Sequence, residues 1–189
     1  MTDAFVPVIS RDTIDRRVRE LATQIRADVV GEDAIVIAVL MGSLIFMKDL
    51  MSHLPYTYTA DFLSLTRFGR EGRVSVAMDV SVPLEDRDVV LVLEIVDTGL
   101  TLATIRKMML TRGVRSLRTV ALIDKAPRRI VDVPVDYRGF EVGDEYLLGY
   151  GMDWEGKYRN LDSIWAVLDL GVLAEDPERF ESLAFGALT

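Results

Sequence analysis

The stretch Val89 to Thr101 reads V-V-L-V-L-E-I-V-D-T-G-L-T. Its first half is a run of β-branched and aliphatic residues, the composition of a strand buried on both faces. The run stops at Asp97-Thr98-Gly99, with a further hydroxyl at Thr101, and Leu102, Ile105, Met108 and Met109 then recur at helical spacing. A buried strand that ends in a short polar turn with glycine and opens a helix gathers several backbone N–H groups at one point. The helix dipole adds positive potential there, which suits a phosphate. Asp-Thr-Gly also occurs in aspartic proteases, but they set it among β-strands, and the helical pattern that follows here argues for phosphate.

Upstream, Ala34 to Met41 reads as another buried strand, ending at Gly42-Ser43. Leu44 to Leu54 reads as a helix closed by Pro55, and Tyr56 to Leu65 as a strand. A polar loop, Thr66 to Arg73, and an extended stretch, Val74 to Val82, follow, and Pro83 to Arg87 turns the chain into the central strand. Ahead of all these, Ile14, Val18, Leu21 and Ile25 mark an amphipathic helix between an N-cap at Ser10 or Asp12 and a stop at Gly31. Downstream, Ser116 to Ile123 is a strand terminated by Asp124-Lys125-Ala126-Pro127. A less regular aromatic and charged region, Val131 to Asn160, leads to a last strand, Ile164 to Leu168. The tail from Leu173 to Thr189 carries Pro177 and a weakly amphipathic pattern, read as a short surface helix. Alternating strands and helices predict one α/β domain over 1–189, with a core of about 10–170 and a mainly parallel sheet flanked by helices. Ligands then bind beyond the carboxyl ends of the strands, at Met41-Gly42, Asp97-Thr98 and Asp124-Lys125.

Composition narrows the function. The absence of cysteine excludes disulfides, thiolate zinc sites and a cysteine nucleophile, and fits a cytoplasmic protein. A formal net charge of -8 argues against non-specific nucleic-acid binding. No apolar run approaches the roughly 20 residues that span a bilayer, and Met1 to Ser10 lacks the pattern of a signal peptide. The only histidine, His53, has no metal-ligand pattern around it and reads as a surface or packing residue.

Taken together, these segments resemble a known family. L-E-I-V-D-T-G-L-T is similar to the phosphoribosyl pyrophosphate motif of the purine phosphoribosyltransferases, E-D-I-I-D-[ST]-G-x-T. Val39-Leu40-Met41-Gly42-Ser43, with Phe46-Met47 and Asp49-Leu50, resembles the pyrophosphate loop and its helix, and Asp61-Phe62 precedes a mobile loop in the family. Lys125, Gly139-Phe140-Glu141, Tyr146 to Asp153 and Tyr158-Arg159-Asn160-Leu161 follow the hypoxanthine-guanine branch in order and spacing.

The resemblance implies the type I phosphoribosyltransferase fold with a small irregular hood. It also implies transfer of a 5-phosphoribosyl group from phosphoribosyl pyrophosphate to a 6-oxopurine, with Mg²⁺, in a homodimer or homotetramer. On that reading Asp97, Thr98, Gly99, Leu100 and Thr101 bind the 5′-phosphate, and Asp97 is also the general base near purine N7. Lys125 donates to O6, Tyr146 stacks on the base, and the main chain near Leu147 reads its exocyclic edge. Glu94 serves the ribose and, with Asp153, the metal, while Met41, Gly42, Arg159 and Arg67 serve the pyrophosphate. Outside the resemblance, Lys125 reads as a solvated lysine, Asp153 as a turn residue, and Tyr146 and Trp154 as core or rim aromatics.

The sequence departs from the family at three places around the phosphoribosyl site. Met41 stands where a Lys or Arg is common, Leu93-Glu94 replaces an acidic pair, and Arg67-Phe68-Gly69 replaces Ser-Tyr ahead of glycine. Arg67 or Arg70 is expected to supply the cation that Met41 lacks. The rival reading is a non-catalytic regulator on the same fold that binds phosphoribosyl pyrophosphate or a nucleotide; the retained Asp97, Lys125, Asp153 and Arg159 favour the enzyme. The choice among hypoxanthine, guanine and xanthine depends on fine geometry around Lys125 and Tyr146.

Overall fold

The computed structural model describes residues 3–29, 31, 33–68 and 73–186, with the side chains of 67, 68, 73 and 74 outside the description. The chain runs through β1 (Phe5–Ile9), α1 (Arg11–Asp28), β2 (Ile35–Leu40), α2 (Leu44–Met51), β3 (Thr59–Phe68), β4 (Arg73–Met78) and β5 (Asp88–Val96). It continues through α3 (Leu100–Leu110), β6 (Ser116–Asp124), β7 (Tyr137–Glu141), β8 (Tyr146–Leu148), β9 (Ile164–Val167), α4 (Leu170–Glu175) and α5 (Pro177–Phe185). Among the described residues the main sheet has the order β4-β3-β2-β5-β6-β7. Its pairs are parallel except β3–β4, so the sheet is mainly parallel as expected.

Alternation along the strands explains the layers. On β5, Val90 and Val92 pack with Ile14, Val18, Leu21 and Ile25 of α1 and Phe46 and Leu50 of α2. Val89, Leu91 and Leu93 face the other way, onto Leu102, Ile105 and Met109 of α3. Both faces are therefore covered by apolar side chains, and only the strand ends can carry polar chemistry. Ser10 caps α1 as expected, its hydroxyl accepting from the Thr13 N–H.

Several boundaries differ from the sequence reading. α2 stops at Met51 rather than Leu54, because the N–H groups of His53 and Leu54 turn back to the Leu50 and Met51 carbonyls. β3 starts at Thr59, after a turn in which the Tyr58 N–H reaches the Pro55 carbonyl. It then runs through Thr66, Arg67 and Phe68, whose backbones pair with Ser75, Val74 and Arg73, so much of the expected polar loop is a hairpin. The extended stretch after it ends at Met78, and Asp61 holds the following turn by accepting from the Ser81 and Val82 N–H groups. Gly69 and Arg70 lie outside the described residues.

A second sheet went unanticipated. β1, β9 and β8 form an antiparallel hood, joining the N-terminal strand to the last one. The tail is two helices, α4 and α5, and it is more than a surface appendage. Phe180 is fully buried, its ring 5.0 Å from Phe5, 5.1 Å from Tyr158 and 5.7 Å from Trp165. No helix among the described residues is long and apolar enough to cross a membrane. Phe180→Ala is expected to lower unfolding stability by about 3–5 kcal/mol, measured by urea denaturation; a loss within about 0.5 kcal/mol would return the tail to the surface.

Candidate active site

The carboxyl ends of β2, β5 and β6 lie side by side, since Ala38 pairs with Val92, and Val96 with Asp124. A cleft of about 300 Å³ opens along this edge, lined by Leu40, Leu93, Glu94, Asp97, Thr98, Gly99 and Thr101. The turn from β5 to α3 is made by Gly99 at φ 85°, where an added Cβ would stand 2.7 Å from the Val131 carbonyl oxygen. Only glycine fits that position without strain. The Thr98 carbonyl accepts from the N–H groups of Ile130 (2.9 Å) and Val131 (3.1 Å), which ties the turn to the segment beyond β6. The α3 N-terminus thus opens on the cleft in a fixed orientation.

Asp97 is half-exposed, and its carboxylate pairs with the Arg128 guanidinium at 2.6 Å. Arg128 also reaches Asp144, so one arginine bridges two carboxylates beside the turn. Lys125 follows β6, its backbone N–H bonded to the Val96 carbonyl at 2.9 Å and its ammonium donating to the Glu145 carbonyl. Burial lowers its pKa, Arg128 lowers it further, and Asp97 opposes both. Tyr146 is half-buried, its ring edge-on to Trp154 at 5.6 Å and its hydroxyl donating to the Asp153 carbonyl at 2.6 Å. Leu147 is buried in β8, an outer strand of the hood sheet that pairs with β9.

The other end of the cleft holds a second group. Gly42 is buried, and a Cβ there would meet the Glu94 carboxyl oxygen at 2.2 Å. From the hood, Gly151 at φ 100° approaches so closely that its Cβ would stand 1.9 Å from the Gly42 carbonyl oxygen. Asp153 accepts from Arg159 (2.7 Å) and from the Gly156 N–H (2.7 Å), and Arg159 also donates to the Gly151 carbonyl. Burial pushes the Glu94 carboxyl up to about 7, with Asp153 adding to the shift and Arg159 opposing it. Glu94, Asp153 and Arg159 therefore share one corner. Among the described residues no cluster of three or more Asp, Glu or His side chains forms a cation cage.

Most of the expected residues thus gather at one edge, in two groups. Asp97 to Thr101 and Lys125 lie beside the α3 turn, and Gly42, Glu94, Asp153 and Arg159 at the other end. Met41 lies at the rim, 60% exposed, and Leu93 forms an apolar wall that packs toward Leu102. Arg67 ends on β3 with its side chain outside the description. Arg128 and Asp144 were missed, since nothing local distinguishes them from solvated charges; their signal is proximity to Lys125 and Tyr146 in the chain.

Residues 10–155 match the sequence profile of the phosphoribosyl transferase domain. The hypoxanthine-guanine phosphoribosyltransferase of Bacillus subtilis is 34% identical over 83% of this chain and 89% of its own. That of Aquifex aeolicus is 35% identical over 86% of this chain and 94% of its own. The crystal structure of a hypoxanthine-guanine phosphoribosyltransferase from Bacillus anthracis superposes with a TM-score of 0.83 at 38% identity, covering 86% of this chain and 98% of that one. The hypoxanthine phosphoribosyltransferase of Trypanosoma cruzi superposes with a TM-score of 0.84 at 31% identity, over 94% of this chain and 98% of that one. The phosphoribosyl transferase profile, sequence identities of 34–35% over most of the chain and a fold shared over nearly its whole length with these enzymes place the chain in the hypoxanthine-guanine phosphoribosyltransferase family.

Proposed function

We propose that this enzyme transfers the 5-phosphoribosyl group of phosphoribosyl pyrophosphate to a 6-oxopurine, hypoxanthine or guanine, in purine salvage in the cytoplasm. The observation that carries the reading is the arrangement of the cleft. The Asp97–Thr101 turn and Glu94 line the cleft, with Lys125 bonded through its N–H to Val96 beside the turn and the charges of Asp153 and Arg159 acting on Glu94.

In the reaction the bond from C1′ to pyrophosphate breaks and a bond from C1′ to the purine nitrogen forms. The 5′-phosphate sits on the Asp97–Thr101 turn, held by main-chain N–H groups and hydroxyls. Asp97 accepts the proton that the purine loses, and the purine competes with Arg128 for that carboxylate. Lys125, fixed against the Glu145 carbonyl, donates to a carbonyl at C6 and has no acceptor to offer an amino group. Tyr146 supplies a stacking face, and the open edge of β8 near Leu147 offers backbone groups to the base. Arg159 and the backbone at Met41-Gly42 bind the leaving pyrophosphate.

Glu94 and Asp153 fit Mg²⁺, because two neighbouring carboxylates in a half-buried corner repel one another and a divalent cation relieves that. Mg²⁺ takes one or two carboxylates and fills its other positions with water and phosphate oxygens, so a larger cage is not needed. When bound it neutralises charge developing on pyrophosphate. The family resemblance further supports a homodimer or homotetramer, which light scattering in solution reads directly.

An ultraviolet assay with phosphoribosyl pyrophosphate and Mg²⁺ is expected to show nucleotide formation from hypoxanthine or guanine and none when Mg²⁺ is chelated. Binding of phosphoribosyl pyrophosphate without product from any purine would instead establish a regulator. Asp97→Asn is expected to lower kcat by about 100-fold or more while the KM for phosphoribosyl pyrophosphate changes little. Glu94 also gives a pH signature without metal. Burial pushes its carboxyl up to about 7, above the ordinary glutamate range, so the folded state binds the extra proton and stability falls as pH rises from that range through about 7. Glu94→Gln is expected to melt higher than the parent at about pH 8 and alongside it at about pH 4; parallel curves at every pH would refute the shift.

A further inference from the structure

Asp49 and Tyr150 lie far apart in the chain and are both buried, Asp49 on α2 and Tyr150 in the hood. The Tyr150 hydroxyl donates to an Asp49 carboxylate oxygen at 2.7 Å, across 101 residues of sequence. The same oxygen accepts from Arg11 at 2.9 Å, and the other oxygen from Lys48 at 2.8 Å. Arg11 also lies 5.6 Å from the centre of the Tyr150 ring, over its face. A buried carboxylate thus has its partners, and a buried tyrosine has its acceptor.

Neither side chain lines the cleft, yet each sits on an element that shapes it. α2 begins immediately after Met41-Gly42-Ser43, so Asp49 is fixed relative to that loop. Tyr150 stands at φ 48° between Gly149 and Gly151, with its N–H bonded to the Leu161 carbonyl at 2.8 Å. The adjacent Gly151 donates to the Arg159 carbonyl at 2.9 Å, accepts from the Arg159 side chain, and rests against the Gly42 carbonyl. Asp153 follows two residues later and pairs with Arg159. Any rotation of Tyr150 therefore moves Gly151, and Gly151 moves Arg159 and Asp153 relative to Gly42.

We propose that the Asp49–Tyr150 hydrogen bond is a positioning pair for the pyrophosphate end of the cleft, locking the hood turn onto the loop before α2. The proposal rests on the phosphoribosyl-transfer reading and deepens it. Asp49 and Tyr150 act through Gly42, Gly151 and Arg159 and touch no substrate themselves. The ionisation states of both groups suit the bond. Burial alone would raise the Asp49 pKa, but hydrogen bonds from Lys48 and Tyr150 and the charge of Arg11 outweigh it and hold the carboxyl below its ordinary value. Burial and the neighbouring Asp49 carboxylate keep the Tyr150 hydroxyl protonated, well above the usual tyrosine range.

Tyr150→Phe keeps the buried ring and removes only the hydroxyl, leaving Asp49 paired with Arg11 and Lys48. In the full-length enzyme it is expected to raise the KM for phosphoribosyl pyrophosphate, and the Kd of Mg²⁺-pyrophosphate measured by calorimetry, by about tenfold. The KM for the purine should stay within about twofold of the parent. Asp49→Asn retains an oxygen acceptor for Tyr150 and should rescue pyrophosphate binding to within about threefold of the parent. A general loosening would raise both Michaelis constants together or lower only the melting temperature, and either result overturns the proposal. So does a loss in Asp49→Asn as large as in Tyr150→Phe. An inactive parent enzyme would refute the function itself, while the pyrophosphate titration would still decide the positioning role.

Discussion

Strand β5 is buried on both faces, with Val90 and Val92 packed under α1 and α2 and Val89, Leu91 and Leu93 packed under α3. A strand so placed can carry polar groups only at its ends, because a charge between two apolar layers is too poorly solvated to persist. Parallel pairing to β2 and β6 then aligns three carboxyl ends along one edge. The Asp97-Thr98-Gly99 turn, Leu40-Met41-Gly42 and Asp124-Lys125 meet there as a consequence of sheet geometry. The α3 N-terminus opens on that edge through Gly99 in its left-handed conformation, which puts the positive end of the helix dipole there.

Electrostatics divides the cleft into two ends. Beside the α3 turn the carboxylate of Asp97 is matched by Arg128, and Lys125 is kept near it despite burial that disfavours its charge. At the far end burial pushes Glu94 up to about 7, with Asp153 adding to the shift and Arg159 opposing it. Leu93 beside Glu94 on this strand is apolar and packs toward Leu102.

The hood supplies what the main sheet cannot. Asp153 and Arg159 come from a segment with little regular structure, held by backbone bonds among Gly149, Gly151, Met152 and Arg159. Its placement depends on tight approaches, Gly151 to Gly42 above all, and on aromatic packing against the C-terminal helix through Phe180 and Tyr158. The tail is therefore part of the body that presents Arg159, which sits next to Tyr158 in the chain.

Local patterns sufficed for much of this. The run from Val89 to Thr101 determined a buried strand, a polar glycine turn and a helix, and the periodicity of Ile14, Val18, Leu21 and Ile25 determined α1, because each depends on neighbours within a few residues. Family motifs in order then indicated Lys125, Tyr146, Asp153 and Arg159. What the tertiary structure alone decided are the contacts between distant segments. β1 pairs with β9 from opposite ends of the chain, Arg128 meets Asp97 31 positions away, and Tyr150 meets Asp49 across 101. Phe180 reads as one apolar residue in a weak amphipathic tail, yet it is buried because the hood offers three aromatic rings to receive it. Such pairings have no local period, since the free energy that selects them is gained only when both partners leave water together.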